Sequence, residues 1–372
     1  MNKQVLSPTK RIPEIEVMKA IAIVGMIFVH VLECSLSSLE NAWEYPGLIP
    51  YTLIEFLGGI PAAGVFTFSM GWGAAFSDRS TVKTYLGRAL KLGILLFYVN
   101  IVYAILPGVF APELYGAYSE HPWAIIGFNI YSFATVSMLF FALLKSLQDK
   151  PKFRGAISIV IVAAIVITDI LVKPEAYTTG NSWIDTLIGI FVRENDYSYF
   201  PLVSWGIYPI MGYWAGHLYR YWNNRKRFAI INLVIGVVLV PVCYIINKKF
   251  ELSNGAINPG MVMTSKEYYS LNIVDLIASV GIICLETAIV FGIMTLAKGK
   301  LHPFIAAMSK HVMGMFIVQW FFITPLMPVL YPNTDVWVSA AVGVGIFIAT
   351  GVVVELWSRL TRRFKEGNPA KA

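Results

Sequence analysis

"MKAIAIVGMIFVHVLE", residues 18–33, is apolar enough to lie in a membrane, yet His30 and Glu33 stand three residues apart within it, on one helical face. The run is not isolated. Working outward, stretches of about 20 apolar residues bounded by charges or turn formers recur along the whole chain. They fall at 17–39, 51–77, 84–106, 123–147, 155–172, 201–221, 228–247, 270–297, 304–328 and 335–358. The sequence therefore predicts an all-α fold, a polytopic transmembrane helix bundle of about ten spans, forming a single domain over residues 1–372. Composition agrees: 57% of residues are hydrophobic, 14% are charged and the mean hydropathy is +0.65, too apolar throughout for one soluble core. The spans 51–77 and 270–297 are long enough to tilt or to contain a break.

Basic residues fix the expected orientation. With the N-terminus inside, 24 of the 29 lysines and arginines fall in cytoplasmic segments or at cytoplasmic helix ends, leaving Lys173, Arg193, Lys248, Lys249 and Lys266 outside. Both termini are then cytoplasmic. The formal charge of +7 follows from this topology, so it does not argue for a nucleic-acid partner. The first apolar run is of spanning length and lacks a small-x-small exit site, and it reads as the first span rather than a signal peptide. Cys34, Cys243 and Cys284 lack CxxC or Cys/His spacing, which supports neither a disulfide framework nor a metal site. Two outer loops are expected, at 173–200 and 248–269. In the first, Ile184, Leu187, Ile188 and Phe191 share a helical face, and Ser182 with Asp185 resembles a capping box. A short helix lying on the outer membrane surface is the plain reading.

Ionisable groups at membrane depth are costly and point to function. His30 lies 13 residues beyond Val17, about 20 Å from the cytoplasmic end of its span. Glu33 at i+3 can bond the imidazole, raise its basicity and select its tautomer, preparing a base for a hydroxyl or amine proton. Glu55, Asp275, Glu286 and Gln319 are further polar residues inside spans. Read from residues alone, His30, Glu33, Glu55 and Glu286 also suit the proton relay of a secondary transporter for a small polar solute. The small residues Gly58, Gly59, Ala63, Gly64, Gly71 and Ala75 predict close helix approach, and the prolines, glycines and tryptophans of 200–216 predict a bent, closely packed helix. No P-loop, dinucleotide fingerprint or GxSxG elbow occurs in a suitable context.

Three stretches together resemble a known family. "RIPEIEVMKAIAIVGMIFVH" (11–30) is similar to the opening of membrane acyltransferases, where a basic and an acidic residue lead into a first helix ending in histidine. "GGIPAAGVFTFSMG" (58–71) resembles their second helix, and "FPLVSWGIYPIMGYWAG" (200–216) a later Phe-Pro-Leu-x-x-Trp segment. The likeness is to the heparan-α-glucosaminide N-acetyltransferase-like family. It implies a multi-pass bundle, in a bacterial plasma membrane, that moves an acetyl or other acyl group from cytosolic acyl-CoA to a glycan or glycolipid acceptor on the far side. His30 matches the catalytic histidine by position, with Glu33 as its partner. Arg11, Lys19, Arg79, Lys83 and Arg88 are then candidates for the donor phosphates, and Glu55, Glu286 and Gln319 for acceptor binding or proton relay. Met18-Lys19-Ala20 replaces the usual Arg-Gly pair, and Gln319 stands where a histidine is often found. Acyl-CoA enters as a substrate, no bound cofactor is implied, membrane lipids surround the chain, and a homodimer stays open.

Overall fold

The computed structural model describes residues 12–36, 60–110, 129–171, 179–192, 200–250, 271–330 and 335–366. Every regular element among them is helical: α1 Pro13–Leu36, α2 Ile60–Ala75, α3 Val82–Phe110, α4 Ile130–Ser146, α5 Pro151–Leu171, α6 Ser182–Phe191, α7 Leu202–Trp205, α8 Ile207–Trp222, α9 Arg225–Phe250, α10 Ile273–Leu296, α11 Pro303–Leu330 and α12 Val336–Glu366. Each of the ten predicted spans is occupied by helix. Among the described residues, six helices are long and apolar enough to cross a membrane, namely α1, α5, α9, α10, α11 and α12. The protein is an all-α, polytopic helical bundle.

Local chemistry sets the helix starts. Pro13 opens α1 with Glu14 and Glu16 in its first turn, where the helix dipole favours negative charge. Thr81 and Thr84 cap α3 reciprocally, each hydroxyl accepting from the other's backbone N–H at 3.3 and 3.2 Å. Asn129 caps α4 by accepting from the Tyr131 and Ser132 N–H groups, and Ser132 returns the bond to the Asn129 N–H. At the start of α6, where the sequence suggested a box at Ser182 and Asp185, the Ser182 side chain lies outside the described residues. Asn181 Oδ1 accepts from the Ile184 N–H, while the Asp185 carboxylate reaches back to the Thr179 N–H and hydroxyl at 2.7 and 2.8 Å. A short helix is present here as α6, with Ile184, Leu187 and Phe191 exposed.

Contacts between helices sort the ends of the bundle. At one end lie the starts of α1, α3, α5 and α9 and the ends of α2, α4, α8 and α10: Arg225 pairs with Glu14, Arg220 with Asp78, and Lys145 donates to the Asp78 carbonyl at 3.2 Å. Gly299, just past α10, sits against the Arg225 guanidinium. At the other end Ser35 of α1 meets Ser339 of α12 at 2.8 Å, Asn129 donates to Asn100, and Ser204 donates to the Leu271 carbonyl at 3.3 Å. The predicted alternation of directions is thus realised, with the basic clusters gathered at one end.

Helix α1 is the axis of the bundle. It packs against α2, α10, α11 and α12, and 67% of its apolar window is buried, against 11% for α5 and α9 at the periphery. Helices α2 and α8 touch backbone to backbone. A Cβ on Gly71 would lie 2.0 Å from the Pro209 carbonyl oxygen, and one on Gly212 would lie 1.9 Å from that of Phe68. The stretch 200–216 is divided at Gly206 between α7 and α8, with the Gly206 backbone itself in the right-handed helical region.

Candidate functional site

His30 projects from α1 onto α11. The Trp320 ring lies over it at 4.6 Å between centroids with planes tilted by 39°, and Phe316 meets it edge-on at 5.8 Å and 76°. Between these two on α11 is Gln319, fully buried, with its side-chain amide facing the imidazole. The amide and the imidazole stop short of an ordinary hydrogen bond, since Gln319 Oε1 and Nε2 and His30 Nδ1 are all enclosed without partners. Long contacts of this kind are common in ligand-free sites and tighten when substrate binds.

A small apolar cavity lies one turn below His30. Ile23, Met26, Phe66, Tyr131, Val312 and Phe316 line it, so α1, α2, α4 and α11 all contribute. Met26 precedes His30 by four residues, and Phe316 touches both the cavity and the imidazole. The Tyr131 hydroxyl donates to the Met313 carbonyl at 3.2 Å and ties α4 to α11 across the space. A wall with no charge suits a short acyl chain better than a polar headgroup.

The other sequence candidates separate. Glu33 holds a position in α1 one turn beyond His30, and its side chain lies outside the described residues, as do Arg11 and Glu55. Glu286 is half-buried in α10 with Oε1 enclosed and unpartnered. Its neighbour Thr287 lies 3.9 Å from the Met18 sulfur, and Met18 is twelve residues before His30, about 18 Å along α1. Glu286 and His30 therefore occupy different layers. Lys19 is engaged within its own helix by Glu16 at 3.0 Å. Arg79, Lys83 and Arg88 are exposed around the α2–α3 turn, with the Arg88 guanidinium 5.5 Å above the Tyr85 ring. They belong to the end of the bundle that carries Pro13, about 25 Å from His30 along α1. Cys34, Cys243 and Cys284 are buried free thiols.

Sequence reasoning singled out His30 and Gln319 but not Phe316, Trp320 or Tyr131. Nothing in an apolar helix marks one aromatic as a cage and another as packing. The available hint was spacing, because Phe316 and Trp320 flank Gln319 at i−3 and i+1.

Among the described residues, an all-helical bundle with six helices long and apolar enough to cross a membrane has the architecture of a membrane protein. A family model described as an acyltransferase domain matches residues 12–356, and the chain belongs to that family. It is a membrane acyltransferase by family and by architecture. No curated protein matches the chain.

Proposed function

We propose that this protein moves a short acyl group, acetyl in the simplest case, from cytosolic acyl-CoA to an amine or hydroxyl of a glycan or glycolipid outside a bacterial plasma membrane. The observation that carries this reading is the His30 imidazole, held between Trp320 and Phe316 above an apolar cavity on its basic-end side. The clustering of basic residues at the opposite end of α1 from His30 supports donor entry from the cytoplasm, with Arg79, Lys83 and Arg88 exposed there to meet the phosphates and Lys19 and, from sequence alone, Arg11 as further candidates. The pantetheine arm runs up to the cavity and presents the thioester beneath His30.

In this reading His30 is the general base. Taking the proton from the acceptor amine or hydroxyl as it attacks the thioester carbon avoids a free oxyanion or ammonium in a water-poor site. Glu33, one turn further out, is placed by sequence to stabilise the imidazolium where the acceptor arrives. The likeness of 11–30 and 200–216 to the heparan-α-glucosaminide N-acetyltransferase-like family supports a sugar as acceptor. The separation of Glu286 from His30 into different layers favours chemistry at one site over a continuous proton relay.

The test is transfer of label from radiolabelled acetyl-CoA by the purified full chain to a membrane glycan extract. His30→Ala is expected to abolish transfer while CoA affinity stays within about twofold, because the phosphates bind some 25 Å away. Wild-type rates in His30→Ala would refute the assignment.

A further inference from the structure

Gln319 is 0% exposed, and both ends of its amide are enclosed with no hydrogen-bond partner. Buried polar atoms are nearly always paired, because an orphaned amide loses its water and gains nothing in return. An amide offers two donor hydrogens and two acceptor lone pairs. Its neighbour His30 has one unmatched nitrogen, Nδ1, so the imidazole can use only part of that capacity. Phe316 and Trp320 press on the imidazole from the same helix, holding it against the face of α11 that carries the amide.

We infer that Gln319 is a second catalytic group: its Oε1 accepts a hydrogen bond from His30 Nδ1–H, and its Nε2–H donates to the oxyanion that forms on the thioester carbonyl. This rests on the acyl-transfer reading above. One residue then does two jobs that are usually divided. Fixing the proton on Nδ1 leaves Nε2 with the free lone pair that a general base requires.

The step balances as follows. His30 Nε2 takes the proton of the acceptor O–H or N–H while the acceptor's electron pair forms a bond to the carbonyl carbon. The carbonyl π pair moves to oxygen, and the resulting oxyanion receives the Gln319 Nε2–H bond. Collapse re-forms the carbonyl and breaks the C–S bond. The departing CoA thiolate takes the proton back from Nε2, giving free CoA, acylated acceptor and neutral imidazole.

Two measurements on the full chain in lipid nanodiscs separate this inference from the reading beneath it. The first is release of CoA thiol from acetyl-CoA with glucosamine as probe acceptor. Gln319→Leu is expected to lower kcat about 10²-fold with the KM for acetyl-CoA changed less than twofold, the size of effect seen when one oxyanion donor is removed. Gln319→Glu keeps the acceptor for Nδ1–H but has no N–H, so kcat falls comparably. Its carboxylate also makes the imidazole more basic, and the acid limb of the pH–rate profile moves to higher pH. A merely structural glutamine would lower the yield of folded protein without moving that limb.

The second measurement is ¹⁵N NMR of histidine-labelled protein at neutral pH, with the His30 signals identified by their loss in His30→Ala. Wild type and Gln319→Glu are expected to show the Nδ1–H tautomer, and Gln319→Leu a mixture. If wild type releases no thiol from acetyl-CoA, the acyl-transfer reading fails, and the tautomer still decides whether Gln319 orients His30. An Nε2–H tautomer in wild type, or wild-type kcat in Gln319→Leu, overturns the inference.

Discussion

Arg220 grips Asp78 with both guanidinium nitrogens, Nη1 to Oδ1 at 2.8 Å and Nη2 to Oδ2 at 2.7 Å, and Nη1 also donates to the Ala75 carbonyl at 2.7 Å. One arginine at the end of α8 thus binds both the C-terminus of α2 and the turn into α3. Lys145, from the end of α4, closes the same turn by donating to the Asp78 carbonyl. The forked geometry suits a carboxylate better than a lysine could, and it fixes the basic end of the helix pair whose upper part is held by glycine contacts.

This pairing predicts a pH dependence with a definite sign. The hydrogen bond from Arg220 holds the Asp78 carboxyl below the ordinary aspartate range. A depressed folded value means that the pair's contribution is fully present above the unfolded pKa of about 3.9 and is lost as pH falls through the lower folded value. Asp78→Asn should lower the thermal midpoint at neutral pH by roughly 2 °C, a modest figure because 44% of the Asp78 side chain is exposed to water. The gap between wild type and Asp78→Asn should close in acid, below the aspartate range, when melts are followed by tryptophan fluorescence. A gap that widens in acid would contradict the linkage.

The α2–α8 crossing makes a steric prediction. Any side chain at Gly71 or Gly212 would drive a Cβ to about 2 Å from a backbone oxygen, which cannot swing aside as a side chain could. Gly71→Ala and Gly212→Ala should each destabilise by about 3 kcal/mol or more, at or above the usual range for overpacking. Gly73→Ala is the control, since nothing lies within 4 Å of its added carbon. Size-exclusion profiles in mild detergent should show folded protein for Gly73→Ala and loss of it for the other two.

The helices were legible because a membrane forces every backbone group into internal hydrogen bonds, so a run of apolar residues admits few alternatives. Ile273–Leu296 needed no tertiary knowledge. His30 stood out for the complementary reason, being an expensive residue in a cheap context. What surrounds it was not legible. Trp320 and Phe316 are as apolar as their neighbours, and their role depends on the rotation of α11 against α1, which is settled by packing over the length of both helices. Lys19 shows the same limit: its charge marked it as a candidate for a ligand, and the fold adds a contact with Glu16 one turn back that the charge alone did not reveal. At Asp185 the pattern did not reveal that the carboxylate reaches outward to Thr179, because that contact depends on the path of the chain entering α6.

Sidedness is open to direct labelling. The native cysteines are buried, so single introduced cysteines report with little background. Lys248→Cys, exposed at the far end of α9, should react with a membrane-impermeant maleimide on intact cells. Lys300→Cys, exposed after α10 at the basic end, should react only once the membrane is permeabilised. Reaction of Lys300→Cys from outside would reverse the orientation and with it the direction of donor entry.

The cavity below His30 predicts which donors the protein accepts. Val312 and Phe316 form its α11 wall, and Met26 and Ile23 its α1 wall. The empty space is about that of one water molecule, so the lining must shift to admit even an acetyl group, and longer chains are rejected by further overlap with the wall, not by any polar contact. Val312→Ala removes two methyl carbons from the lining without touching His30, Gln319 or Trp320. It should raise kcat/KM for butyryl-CoA relative to acetyl-CoA by about 10-fold or more, since one or two carbons in an apolar pocket are worth about 1–3 kcal/mol. Val312→Phe should do the reverse, lowering use of both donors and that of butyryl-CoA further. The measurement is competition between the two donors in one reaction, with products separated by mass. A ratio unchanged in both variants would mean that the acyl chain lies elsewhere and that this cavity is a packing gap between α1 and α11.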